Sequence, residues 1–327
     1  VTGARPLVVD LLGGLGDLVM VLPAVHALAR RHGPVRVLTH APGHVLLAAD
    51  PAVAGVVVAE EGRELAAVEA ELDRGPGLVV STTDHSGIGA AIRARAPRSV
   101  TNLWRDPPPD QPVAQRYVEI LAAEGLVDGP YRPPAIRLTD AERAAADVPG
   151  DRPVVLVPHA GMAVKVWPHW AELAGLLTRE RGEPPLVVAG DGRWGRPLPP
   201  TDLRGLAAVF AAVADRGGVV VGPDTGPVRV AGAVGARTVG LFGPTLASRY
   251  GLDPPAIDLQ GLPGCPHRRP TAITEQVCWW DAVCPLDARG PACLAAIPPD
   301  AVLAAVRTAL AAPPPGPSPE ADPAPAG

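Results

Sequence analysis

Apolar residues along the chain fall into short continuous runs separated by stretches of helical period. Residues 7–12 form such a run, followed by Gly13-Gly14-Leu15-Gly16-Asp17 and a helical pattern through Arg31. Runs at 36–39, 53–59 and 78–80 read as strands, 64–72 as a helix, and 115–125 as an amphipathic helix stopped by Gly125. The pattern restarts after Asp151-Arg152-Pro153. Strands at 154–157, 186–189, 218–221 and 238–242 then alternate with helices at 170–181, 203–214 and 227–234, and a helix at 301–311 closes the series. Strands alternating with helices predict an α/β fold with a doubly wound parallel sheet in each half. The expected domains are residues 1–150 and 151–312, with a disordered Pro/Ala-rich tail at 313–327. Ligands of such sheets bind at the carboxyl ends of the strands, here at the cleft between the halves.

Composition narrows the class. With 47% apolar residues the 327-residue chain can bury two cores, and a net charge of −5 gives no overall attraction to nucleic acid or to an anionic membrane. The apolar stretch 7–29 is interrupted by Asp10 and Asp17, broken by Pro23, and framed by neither a basic segment nor a cleavage site. It therefore predicts a buried strand and helix of a cytoplasmic protein rather than a signal peptide or membrane span. The chain's 29 basic residues include one lysine, Lys165; the rest are arginine. A lysine that persists in so arginine-biased a chain points to a task for a compact ammonium, such as a point charge on a phosphate, against the alternative of chance survival.

Three strand-to-helix loops carry candidate chemistry. Gly14 and Gly16 permit a tight turn and close approach to a ligand, and Asp17 is either a first-turn carboxylate or a general base; Val19 occupies the third glycine position of a dinucleotide fingerprint. The second loop runs from His159-Ala160-Gly161 to Lys165-Val166-Trp167-Pro168. The third is Gly222-Pro223-Asp224-Thr225-Gly226-Pro227, which reads both as a well-capped helix start and as a phosphate cradle. Four cysteines, Cys265, Cys278, Cys284 and Cys293, share one segment without a CxxC pair. Reduced thiols, a metal site and a disulfide all remain open for them, the last disfavoured in the cytosol.

These motifs resemble glycosyltransferase family 9, whose best-known members are heptosyltransferases. The matching stretches are 16–25, 115–125, Lys165-Val166-Trp167-Pro168, and Asp224-Thr225-Gly226 through Phe242-Gly243-Pro244-Thr245, with Cys284-Pro285 also similar. The resemblance implies a GT-B fold of two Rossmann-like domains, acceptor in the first and nucleotide-sugar in the second. It implies Asp17 as the base, Lys165 as the diphosphate contact, and Asp224, Thr225 and Gly226 closing on the phosphates. Two positions depart from the family: Arg229 stands where a histidine is usual, and the acid expected after Gly190 has only Asp191 as a near counterpart.

The reaction expected is an inverting transfer of heptose or a related sugar from a nucleoside-diphosphate sugar, ADP-heptose being one candidate, to a glycan, glycolipid or small-molecule hydroxyl. No cofactor or metal is expected, and no Asp-x-Asp occurs in the chain. The other expectations are a monomer, no nucleic-acid partner and peripheral contact at the inner membrane. A nucleotide-sugar epimerase and a non-catalytic nucleotide-sugar-binding module are the rival readings.

Overall fold

A computed structural model describes residues 5–190 and 192–313. The expected tail from 314 onward, and Asp191, lie outside the described residues. The described residues fall into two compact units: residues 5–107 with Val113–Arg137, and Pro108–Pro112 with residues 138–313.

In the first unit the elements run β1 (Leu7–Val9), α1 (Leu15–His32), β2 (Val35–His40), β3 (Val53–Ala59), α2 (Glu64–Leu72), β4 (Val79–Ser81), α3 (Ile88–Arg95), β5 (Ser99–Val100) and α4 (Val113–Ala123). The five strands pair in the order β3-β2-β1-β4-β5, all parallel. The order reverses between β1 and β4, so the carboxyl ends of those two strands border the switch point where such sheets take ligands. Leu7, Val8 and Val9 are all buried, as a central parallel strand covered on both faces requires. Pro23 does not end the first helix: it lies inside α1 and is buried there. Proline forfeits one backbone hydrogen bond, a local cost that the burial of the surrounding helix, Leu18 to Val25, accompanies.

The second unit contains α5 (Asp140–Ala145), β6 (Val154–Leu156), α6 (Trp170–Arg181), β7 (Leu186–Val187), β8 (Arg196–Pro197), α7 (Leu203–Asp215), β9 (Val219–Pro223), α8 (Gly226–Ala233), β10 (Arg237–Phe242), α9 (Ala247–Tyr250), β11 (Ile257–Gln260), α10 (Ala292–Ala295) and α11 (Pro299–Ala311). Its six parallel strands are ordered β11-β10-β9-β6-β7-β8, with the reversal between β6 and β9. Helix α5 carries a reciprocal cap: Thr139 N–H donates to Glu142 Oε2 at 2.7 Å and Glu142 N–H to Thr139 Oγ1 at 3.2 Å. Arg204 of α7 then grips the Glu142 carboxylate, which fastens the chain to this unit before its first strand. Helix α6 stops at Gly182, whose φ of 75° lets its N–H reach the Thr178 carbonyl at 3.0 Å.

The core of this unit runs from β6 and β9 through Trp167, Trp170 and Leu173 to Val302 and Val306 of α11. Among the described residues, no helix is long and apolar enough to cross a membrane.

Candidate active site

The loop after β6 reaches Lys165 through a single 3-10 turn, Ala163–Lys165, closed by Lys165 N–H to the Met162 carbonyl at 2.9 Å. Trp167 anchors this segment. Its ring is fully buried, stands edge-on to Trp170 at 4.8 Å, and donates Nε1–H to the Ile297 carbonyl at 3.0 Å. Two residues from that anchor, the Lys165 ammonium is placed rather than left to wander.

Its partner comes from the other side of the switch point. Asp224, at the carboxyl end of β9, accepts from Lys165 Nζ at 3.0 Å on Oδ2, from Thr245 Oγ1 at 2.9 Å on the same oxygen, and from Arg229 Nη2 at 2.6 Å on Oδ1. Arg229 also donates to the Tyr250 carbonyl. Burial alone would raise the Asp224 carboxyl, but the charges and hydrogen bonds of Lys165 and Arg229 outweigh it and hold it well below the carboxylate range. Two cations around one anion leave the cluster with one net positive charge at the strand ends. Beside it begins α8. Thr225 takes the N-cap position, yet its hydroxyl bonds the Pro223 carbonyl at 3.2 Å and no side chain caps the helix. The helix start thus presents backbone N–H groups and positive dipole to a ligand, and Pro227 sits in the first turn as expected.

The other predicted residues are placed as follows. His159 bonds the Ala189 carbonyl at 3.1 Å and lies 6.0 Å from the Trp194 ring, exposed at the end of β6. Ala160 and Gly161 follow it in the loop, and a Cβ at Gly161 would meet nothing within 4 Å, so sterics do not demand glycine there. Arg229 is buried at 6% exposure, its guanidinium turned onto Asp224 and Tyr250.

Asp17, Gly14 and Gly16 belong to the first unit. Asp17 Oδ2 accepts the Gly14 N–H at 3.0 Å, and a Cβ at Gly14 would lie 2.5 Å from that oxygen. Glycine at 14 is therefore what allows the carboxylate to fold back over the loop. One oxygen of Asp17 thus accepts from the backbone just ahead of the helix.

Sequence reasoning gave no role to three groups. Thr245, quoted only within the signature stretch, completes the Asp224 shell. Trp279 is buried, with Lys165 Nζ 5.5 Å from its ring centroid, which brings the cysteine segment against the site. Asp10, read only as an interruption of the apolar run, is buried at the end of β1. The four cysteines are free and line one small hollow with His267 and Arg268. Burial pushes Cys293 up to about 11 and raises Cys278 as well. Among the described residues, no three His, Cys, Asp or Glu side chains are placed to hold a metal ion.

Residues 197–261, which carry the Asp224 loop, α8 and Thr245, match the family model for glycosyltransferase family 9 (heptosyltransferase). No curated protein matches the chain. A glycosyl transferase family 9 structure from Veillonella parvula DSM 2008 superposes with a TM-score of 0.72 at 17% identity, covering 94% of this chain and 98% of its own. The E. coli ADP-heptose lps heptosyltransferase II gives 0.67 at 20% identity with the same coverages. The iron-containing dodecameric glycosyltransferase TibC from enterotoxigenic E. coli H10407 gives 0.62 at 14%, covering 94% of this chain and 76% of that one. The structures carry the fold and the family model carries the signature loop: the chain has a GT-B fold, and its segment 197–261 is similar to glycosyltransferase family 9.

Proposed function

We propose that the protein transfers a sugar, heptose or a close relative, from a nucleoside-diphosphate donor to a hydroxyl acceptor with inversion and without a bound metal. The observation that carries this is the Lys165–Asp224–Arg229 cluster beside the uncapped start of α8. An ammonium held by a buried carboxylate and a row of backbone N–H groups suits a diphosphate, whose charge grows as it leaves. Both oxygens of Asp224 are occupied by donors, so its part is to aim the cations rather than to touch an anion that would repel it. The solved relatives named for ADP-heptose support that donor class here.

In this reading the Asp17 carboxylate takes the proton of the acceptor hydroxyl as its oxygen bonds to the anomeric carbon. The bond from that carbon to the diphosphate oxygen breaks with its electron pair, and the nucleoside diphosphate leaves. A positioned base contributes about 10²–10⁴-fold. Lys165 and the N–H groups of α8 supply the counter-charge that Mg²⁺ provides in other transferases.

The test is a thermal-shift screen across ADP-, GDP-, UDP- and dTDP-sugars, followed by turnover of the stabilising donor with and without acceptor. Stabilisation by one nucleoside class and acceptor-dependent release of its diphosphate is the expected result. Isomerisation of donor alone would establish an epimerase, and binding without any turnover a non-catalytic module.

A further inference from the structure

The turn Gly243-Pro244-Thr245 after β10 faces two ways. Thr245 donates to Asp224 Oδ2 at 2.9 Å, while Gly243 and Pro244 line the hollow shared by Cys265, Cys278, Cys284 and Cys293. A Cβ at Gly243 would lie 3.0 Å from Cys293 Sγ, so the turn rests against sulfur. Arg268, also on the hollow, donates from Nε and Nη2 to the Gly243 carbonyl at 3.1 and 2.7 Å and ties the cysteine segment to this turn. The same segment reaches the other arm of the cluster, since Trp279, next to Cys278, lies 5.5 Å from Lys165 Nζ. Four free thiols therefore stand behind both members of the Lys165–Asp224 pair. Ala282, at a φ of 55°, donates its N–H to the Cys278 carbonyl at 3.1 Å. That turn reverses the chain, and Cys278 and Cys284 meet the hollow from its two sides.

We propose that Cys278 and Cys284 are a site of reversible oxidation by a peroxide, and that their disulfide weakens the diphosphate contact at Lys165. This rests on the reading of Lys165 as that contact. Burial raises the Cys278 thiol and pushes Cys293 up to about 11, so the half-buried Cys284 reacts first. Its thiolate attacks one peroxide oxygen, the O–O bond breaks and hydroxide leaves. The sulfur becomes a sulfenic acid, and the peroxide is reduced by two electrons. The Cys278 thiolate then attacks that sulfur, the S–S bond forms, and the S–O bond breaks with loss of a second hydroxide. Protons from the two thiols turn both hydroxides into water. A disulfide holds its sulfurs about 2.05 Å apart, closer than two thiols can pack. Cys278 is thus drawn toward Cys284, and Trp279 shifts with it against Lys165. A dithiol reductant reverses the step by exchange.

The experiment starts from protein reduced with dithiothreitol, freed of it and treated with hydrogen peroxide. Peptide mapping by mass spectrometry should place a disulfide between Cys278 and Cys284. Affinity for inorganic pyrophosphate, which reads the Lys165 contact without a nucleobase, should fall about two- to tenfold and recover when dithiothreitol is added. Cys278→Ser and Cys284→Ser should each bind pyrophosphate as the reduced wild type does and no longer respond to peroxide. Cys265→Ser should respond as the wild type does. A bond mapped elsewhere, a response that survives in Cys284→Ser, or a mapped bond that leaves the affinity unchanged overturns the proposal while the donor reading stands. Reduced protein that binds no pyrophosphate overturns the diphosphate reading, and the regulation with it.

Discussion

Lys165 Nζ lies 3.0 Å from Asp224 Oδ2, so the chain's one lysine is paired with the aspartate of its signature loop across the switch point of the second sheet. Lys165 keeps 18% side-chain exposure and Asp224 6%. An ion pair with one partner open in this way can exchange part of its interaction for an incoming anion.

Lys165→Arg should weaken donor binding by at least about tenfold with the fold intact, since the planar guanidinium cannot occupy the same small volume between Asp224 and the Trp279 ring. Calorimetric donor titration of both proteins checks this, and equal affinities would return Lys165 to chance survival.

Asp17→Asn should bind donor normally and turn over at least about tenfold more slowly, because the amide keeps the contact region but cannot take a proton. A loss of melting temperature with little loss of rate would make Asp17 a helix-start residue only.

Two buried carboxyls should give stability opposite pH slopes. Asp10 is raised to about 7, so the folded state holds its proton more tightly than the unfolded chain between roughly pH 4 and 7. Its contribution therefore falls as pH rises through that window and is flat above it. Asp224 is depressed, so its contribution is present above about pH 4 and is lost on further acidification. Asp10→Asn should thus gain stability relative to wild type at pH 8 but not at pH 4. Denaturant titrations at the two pH values measure it.

Gly222→Ala should cost roughly 1–3 kcal/mol, the range for overpacking. Its Cβ would lie 2.5 Å from Val228 Cγ2 and 3.0 Å from Val157 Cβ, wedging α8 away from β9 just below Asp224. Unchanged urea denaturation would show that the two elements can separate freely.

Treatment with a chelator should leave transfer unaffected, since Lys165 and the α8 N–H groups supply the counter-charge. Recovery by Mg²⁺ of an activity lost to the chelator would refute the metal-free reading. A melting temperature lowered by chelation and restored by zinc alone would instead assign a structural metal to Cys265, Cys278, Cys284 and Cys293.

Local pattern was enough to set the alternation of strands and helices, because burial on both faces writes itself as continuous apolar runs and glycine marks where strands give way to ligand loops. It also exposed Lys165, Asp224 and the loop at Asp17, since rare residue types at strand ends stand out against a biased composition. It missed the two-residue strands β5 and β8, which carry too few residues to show a period. Pairing lay beyond it entirely. That Asp224 gathers Lys165 from 59 positions away and Thr245 from 21, and that Asp10 meets Thr82 across 72, follows from strand order, which brings distant strand ends together. Sequence determined which residues could do chemistry; the parallel pairing of β6 with β9 and of β1 with β4 decided which of them meet.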